Sequence, residues 1–160
     1  MTGLEAPLAR HRETVRPEWI DYNGHMNVAW YTLVFDHGTD AMLDALGLGA
    51  AYASAAGASL FVAEAHILYR RELALGAPLL VRTQLLGWDA KRLHLFHWLI
   101  DESDGAVAAM QEQMLLHVDL TTRRTATFPE AARGALAEMM AAHELLPRPA
   151  EAGRAVVGLE

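Results

Sequence analysis

Across residues 27–46, apolar side chains fall at Tyr31, Val34, Phe35, Ala41, Met42, Ala45 and Leu46, with Gly38 in the same stripe. Asp36, Asp40 and Asp44 form the opposite stripe at i, i+4 spacing. This period predicts an amphipathic helix with one buried and one wet side. Asn27 is suited to cap its start and Gly47 to end it in a left-handed conformation. Residues 13–20, β-branched and marked by Pro17, read as extended. After a small-residue loop, four strand-like segments follow at 59–71, 78–88, 91–102 and 106–120. The breaks at 76–77, 89–90 and 103–105 are hairpin-length, which predicts a meander of consecutive antiparallel pairs.

Within 93–100 both strand faces are bulky, Leu93, Leu95 and Leu99 on one and Phe96, Trp98 and Ile100 on the other. Such a strand needs cover on both sides, more than one helix supplies, so a partner subunit is expected. A last helix over 130–145 stops before Pro147, and the Pro/Gly/Ala-rich 146–160 reads as a flexible tail to a single domain, 1–145. The order of elements suits an α+β fold in which a strongly curved antiparallel sheet wraps one long helix.

Composition narrows the function. The 160-residue chain has a formal charge of −7, with Lys91 its only lysine, so no basic stripe exists for nucleic acid. It has no cysteine, which removes disulfides, thiolate nucleophiles and Cys-based metal sites and makes the cytoplasm the default location. The opening residues, Met1 to Pro7, lack the basic and apolar regions of a secretory signal. The uncharged run 45–63 is too rich in Gly, Ser and Ala to span a membrane and divides into a helix end, a loop and a strand start.

The chemistry-bearing string is Asp21-Tyr22-Asn23-Gly24-His25-Met26-Asn27-Val28-Ala29-Trp30-Tyr31, at the junction of an extended segment and the long helix. Unpaired N–H groups and the helix dipole favour negative charge there, which suits a site that stabilises an oxyanion. Other sites are disfavoured. His94, His97 and His117 share no metal-ligand spacing, and His143-Glu144-Leu145-Leu146-Pro147 lacks a second histidine, so no metal is expected. Gly47-Leu48-Gly49 follows a helix and lacks a third glycine, and none of the three serines lies in Gly-x-Ser-x-Gly.

The string, followed by a helix and by a strand carrying Tyr69-Arg70-Arg71-Glu72, resembles hotdog-fold acyl-CoA thioesterases of the 4-hydroxybenzoyl-CoA thioesterase type over about residues 13–129. Within that group, Trp19 to Met26 together with Glu64-Ala65-His66 and Met114 to Asp119 is similar to betainyl-CoA thioesterases, which occur alone or fused to carnitine dehydrogenases. The resemblance implies a hotdog fold and a homodimer, with assembly to a tetramer left open. Each site would combine the junction before one subunit's helix with a strand of the other. It implies hydrolysis of a small acyl-CoA thioester, betainyl-CoA of carnitine catabolism being the candidate, to free acid and CoA. No cofactor is implied, coenzyme A being part of the substrate.

Asp21 falls on the family's catalytic acid position, as nucleophile or general base. Val28 stands where the 4-hydroxybenzoyl-CoA enzyme has Tyr, so its aromatic pocket does not carry over. The amides around Gly24, His25 and Met26 are the expected oxyanion donors. His25 either polarises the carbonyl or fixes the loop, and Asn27 reads chiefly as a helix cap. Glu64 and His66 share one strand face, directed by resemblance to the partner's site. An acid after the apolar Leu60-Phe61-Val62-Ala63 needs a purpose or partner if buried. The candidate catalytic set is therefore Asp21, Gly24, His25 and Glu64, and the substrate-binding set Tyr22, Asn23, Met26, Asn27, Trp30, Tyr31, His66 and Tyr69. For a trimethylammonium head, Trp19, Tyr22, Trp30 and Tyr69 offer aromatic faces and Glu64 a charge. The alternatives are a hotdog hydratase or dehydratase using His25 with Asp40, and a non-catalytic acyl-CoA-binding module.

Overall fold

A computed structural model describes residues 4–156 of the chain, so the first three residues of the expected domain and the last four of the expected tail lie outside it. The elements run β1 (Leu8–Thr14), a 3-10 turn (Pro17–Trp19), α1 (Val28–Ala45), α2 (Ala50–Ala56), β2 (Ala58–Tyr69), β3 (Pro78–Trp88), β4 (Arg92–Asp101), β5 (Ala106–Asp119), β6 (Arg124–Thr125) and α3 (Glu130–His143). Asn27 keeps extended angles and its side chain accepts the Ala29 N–H at 3.0 Å, which starts α1. Gly47, at φ +69°, follows its end, a conformation that favours glycine. The predicted stripe is buried at Tyr31, Val34, Phe35, Gly38 and Met42, with Thr39 and Leu43 widening it, while Asp36, Asp40 and Asp44 are exposed.

The strands form one antiparallel sheet in the order β1-β3-β4-β5-β2, with β6 paired to β5. The hairpins β3-β4 and β4-β5 follow the expectation, but β2 departs from it. It pairs with β5 at the far edge, from Ala58 opposite Asp119 to Tyr69 opposite Ala109, instead of with β3. The connection over residues 70–77 is a crossing segment rather than a tight turn, which frees β1 to take the place beside β3. Two shorter elements also correct the sequence reading. Residues 50–56, read as loop, form α2 because Ala50, Ala51, Ala53, Ala55 and Ala56 have the highest helix propensity and Gly57 closes the turn. Residues 17–19, read as extended, form a 3-10 turn whose first position suits Pro17.

The core lies between α1 and the sheet. One cluster joins Leu43, Leu85, Leu93, Leu95, Leu115 and Leu136, and the other joins Trp19, Tyr31, Phe35, Leu73, Val81 and Leu99. α1 approaches β3 so closely at Gly38 that an added Cβ would meet Val81 Cγ1. Phe96 and Ile100, on the second face of β4, are already buried within the single chain. Trp98, between them on the same face, is left partly uncovered by the single chain.

α3 packs on β3 through His143, whose Nδ1 accepts the Leu85 N–H at 2.8 Å and whose Nε2 donates to Glu5 O at 3.0 Å. The segment after α3 is tied back to the sheet, with Gly153 N–H donating to Glu112 Oε2 at 2.6 Å and Arg70 3.3 Å from Glu151. No helix among the described residues is long and apolar enough to cross a membrane.

β2 carries one irregularity that decides which way its side chains point. Val62 opposes Leu115 while Glu64 opposes Met114, so Ala63 is an extra, bulged residue. Before the bulge Ala58 and Leu60 are buried, and after it Ile67 packs on the core.

Candidate active site

Residues 20–26 fold into a closed turn ahead of α1. Ile20 bridges Met26, Asp21 N–H donates to His25 O at 3.2 Å, and Gly24 N–H donates to Asp21 O at 2.9 Å. Gly24 has φ +82° with nothing within 4 Å of where a Cβ would sit, so backbone conformation is what requires glycine. The turn is held from both sides: Met26 N–H donates to Leu73 O and Asn27 N–H to Trp19 O, each at 2.8 Å.

Both carboxylate oxygens of Asp21 accept hydrogen bonds, Oδ1 from Asn23 N–H at 2.8 Å and Oδ2 from Asn27 Nδ2 at 2.7 Å. The Asn23 amide first, then Asn27, with the nearby His25, hold its carboxyl below the ordinary value against a smaller desolvation effect. Asp21 is thus ionised at neutral pH. Asn27 caps α1 as expected and also orients the acid.

The three amides expected as oxyanion donors do not behave alike. Those of Gly24 and Met26 are used inside the fold, whereas His25 N–H has no partner among the described residues. The N–H of Val28, first residue of α1 and 55% exposed, is likewise unpaired among the described residues. The free donors at this helix start are therefore His25 and Val28. The signal for Val28 was its place as first helical residue, where an amide lacks an intrahelical partner.

These two residues line a cavity of about 340 Å³ with Met26, Tyr31, Tyr69, Arg70, Arg71 and Glu72; Asp21 is not among its walls. His25 Nδ1 donates to Met26 O at 3.2 Å, fixing the loop, and Nε2 lies 3.8 Å from Glu72. Tyr69 meets the Tyr31 ring edge-on at 5.2 Å, and Tyr31 Oη donates to Arg71 O at 3.2 Å. Burial, then Tyr69 and Glu72, push the Tyr31 hydroxyl up, so it stays a protonated donor. Both arginines are engaged, Arg71 with Asp104 at 2.6 Å and Arg70 with Glu151 at 3.3 Å. Glu72 was legible as the end of the Tyr69-Arg70-Arg71-Glu72 run but was given no role.

The remaining candidates disperse. Tyr22 is 97% exposed, and Asn23 engages Asp21 only through its backbone. Trp30 stacks on the buried Trp19 at 5.6 Å, so this pair packs the core. Asp40 belongs to the exposed acidic stripe, where partial desolvation by the surrounding side chains and its neighbours Asp36 and Asp44 raise its carboxyl, and it is not a wall of the His25 cavity.

Glu64 and His66 line a second cavity of about 320 Å³ with His94, Glu112, Met114 and Gly153. Ala65 opposes Gln113, whose Oε1 lies 3.0 Å from Thr39 of α1, so Ala65 faces α1 and its neighbours Glu64 and His66 face away. Within one chain they are not brought to Asp21. Glu64 is exposed, so the argument from the cost of burying it does not apply.

The histidines judged unfit for metal each have separate partners. His94 pairs with Glu112 at 2.6 Å, and His117 donates to Ala126 O at 2.8 Å. His97 lies between Thr83 and Thr39 at 2.8 and 3.2 Å. Complete burial pushes His97 down to about 4, so it is neutral at pH 7.

Comparison with known proteins adds a family to this geometry. The family model of the Thioesterase-like superfamily matches residues 15–136. The betainyl-CoA thioesterase of Pseudomonas aeruginosa is 44% identical over 152 residues, covering 95% of each chain. The L-carnitine dehydrogenase/betainyl-CoA thioesterase of Agrobacterium fabrum is also 44% identical, but the match covers 94% of this chain and only 30% of that longer protein. A hypothetical protein of Staphylococcus aureus, solved in complex with CoA, superposes with a TM-score of 0.87 at 30% identity, covering 99% of this chain and 100% of that one.

Proposed function

The chain belongs to the thioesterase-like superfamily, and on that premise we propose that it hydrolyses a small acyl-CoA thioester, with betainyl-CoA as substrate and Asp21 driving the attack. The observation that carries this reading is the Asp21 carboxylate, held ionised by Asn23 and Asn27 in the same turn that leaves the His25 and Val28 amides free at the start of α1.

Two routes use these groups. In one, a carboxylate oxygen of Asp21 bonds to the thioester carbonyl carbon, CoA leaves as thiolate, and water hydrolyses the resulting anhydride. In the other, Asp21 takes a proton from water as its oxygen bonds to that carbon, and the same C–S bond breaks. Both pass through an oxyanion. The free amides and the helix dipole stabilise that charge, and loss of one such donor typically raises the barrier by about 3–4 kcal/mol.

The cavity beside the turn suits a small cationic acyl group. Tyr69 and Tyr31 supply aromatic surface and Glu72 supplies negative charge, while the two arginines are neutralised by Asp104 and Glu151. Of the aromatics named from sequence for this task, only Tyr69 lines the cavity, and Glu72 takes the anionic role assigned there to Glu64.

The proposal includes a homodimer in which Glu64 and His66 complete the neighbouring chain's site, because they emerge on the sheet face away from α1. It also includes a cytoplasmic enzyme with no cofactor beyond the CoA of its substrate; the absence of cysteine supports that compartment.

The test is free-thiol release from betainyl-, acetyl-, aromatic and long-chain acyl-CoA by the native protein and by Asp21→Asn. Turnover with betainyl-CoA in front, lost by about 10²–10⁴-fold in the variant, is expected. Undiminished hydrolysis by Asp21→Asn overturns the mechanism. Equal turnover of betainyl- and acetyl-CoA overturns the substrate assignment, and tight binding of every thioester without turnover overturns catalysis itself.

A further inference from the structure

Away from the Asp21 turn, three metal-competent side chains from two elements converge. His11 and Glu13 are two residues apart on β1 and so share a face, and His37 projects from α1, which packs against that strand. His11 Nε2 lies 2.7 Å and His37 Nδ1 2.8 Å from the same Glu13 oxygen, Oε1. The ligating atoms all fall within 4.8 Å of one another. The two rings meet edge to face at 5.3 Å, and the Glu13 side chain is only 9% exposed.

We propose that His11, Glu13 and His37 form a binding site for one divalent transition cation of the zinc class. Two imidazole nitrogens and a carboxylate oxygen are a borderline donor set, suited to zinc, cobalt or nickel and poorly suited to magnesium or calcium. In a tetrahedral shell with bonds of about 2.0 Å, ligand atoms sit about 3.3 Å apart. The present contacts therefore widen by roughly half an ångström when a cation replaces the protons between the rings and the carboxylate. Each ring then carries its N–H on the other nitrogen, which has no hydrogen-bond partner among the described residues. The second Glu13 oxygen is held only loosely, with Arg16 at 3.8 Å, so the carboxylate is able to swing. Asp40, one turn beyond His37, feels both rings and adds negative charge nearby.

Three protein ligands leave a fourth position for water. The site shares no residue with the Asp21 turn. Its effect is structural: the cation joins the edge strand β1 to α1 and stabilises the folded state by binding it alone. Nothing in local spacing announces it, since Glu13 and His37 are 24 residues apart.

The experiment titrates tag-free protein, stripped with chelator and desalted, with Co²⁺ and then Zn²⁺. Visible d–d absorption, calorimetry and thermal unfolding are the readouts. One equivalent of Co²⁺ giving tetrahedral-type bands, displaced by Zn²⁺ with a rise in Tm, is expected. Loss of an outer-shell partner alone weakens metal sites about 10–100-fold, so His11→Gln and His37→Gln should each exceed that loss. His94→Gln, which breaks a different His–Glu pair, should bind as the native protein does. Absence of saturable one-to-one binding to the native protein overturns the proposal, as does unchanged affinity in His37→Gln. Should His11→Gln fail to fold, those two measurements still decide it.

Discussion

Asn27 donates from Nδ2 to Asp21 Oδ2 at 2.7 Å while its Oδ1 accepts the Ala29 N–H at 3.0 Å, so one amide side chain caps α1 and orients the acid. Capping and support of catalysis, opposed as alternatives when only the sequence is read, are the same conformation. Asn27→Ala should lose about 1 kcal/mol of stability with the cap. It should also remove one of the hydrogen bonds that hold the Asp21 carboxyl low, so the acidic limb of kcat/KM moves to higher pH. Asn27→Asp keeps the cap but sets a like charge against Asp21 in place of the hydrogen bond, so the loss from uncapping is avoided while the acidic limb moves further up and activity falls. A pH–rate profile beside denaturant unfolding separates the two effects, and an unmoved acidic limb in both variants contradicts the coupling.

Tyr69→Ala should discriminate between substrates rather than disable the enzyme. Loss of a cation–π contact corresponds to about 2- to 30-fold in kcat/KM for betainyl-CoA relative to acetyl-CoA. Equal losses on both substrates would assign Tyr69 to packing against Tyr31 alone.

Gly38→Ala tests the contact between α1 and β3. The new Cβ would meet Val81 Cγ1 inside van der Waals contact, and overpacking of this kind is expected to destabilise by about 1–3 kcal/mol. In the double variant with Val81→Ala the two changes should be non-additive, with part of the loss recovered. Additive denaturant midpoints would show that α1 relaxes away from the sheet at little cost.

His97 should make stability depend on acidity. Its folded value is about 4 against an ordinary 6.5, so between these the unfolded chain binds more protons. The stability from its neutral form is fully present above about pH 6.5 and declines, on the order of 3 kcal/mol in all, as pH falls toward 4. His143, also pushed down by burial, acts in the same direction. Unfolding free energies measured across this window should fall more gently in His97→Gln than in the native protein.

What could be read from sequence was chiefly what local chemistry decides. Both ends of α1 follow from Asn27 and Gly47, and the bounds of β3 follow from Pro78 and the Asp89 break. The place of β2 was not legible, because pairing with β5 rather than β3 is settled by non-local packing. α2 escaped notice since its seven residues bury no side chain and so carry no periodic stripe. In the site, Asp21 and its asparagines were visible in the motif. Which amides remain free was not, because that depends on Leu73 accepting from Met26, 47 residues away in sequence.

The bulge at Ala63 works as a phase shifter for the second half of β2. Strand side chains alternate with a period of two, so pairing Ala63 regularly with Met114 instead of bulging it out would carry everything from Glu64 to Tyr69 through the sheet. Glu64 and His66 would turn against α1, and Tyr69 would turn away from Tyr31. Each cavity would lose its β2 side chains, Tyr69 from one and Glu64 and His66 from the other, with none of them chemically altered. A one-methyl residue of no chemical note thereby sets the address of six others.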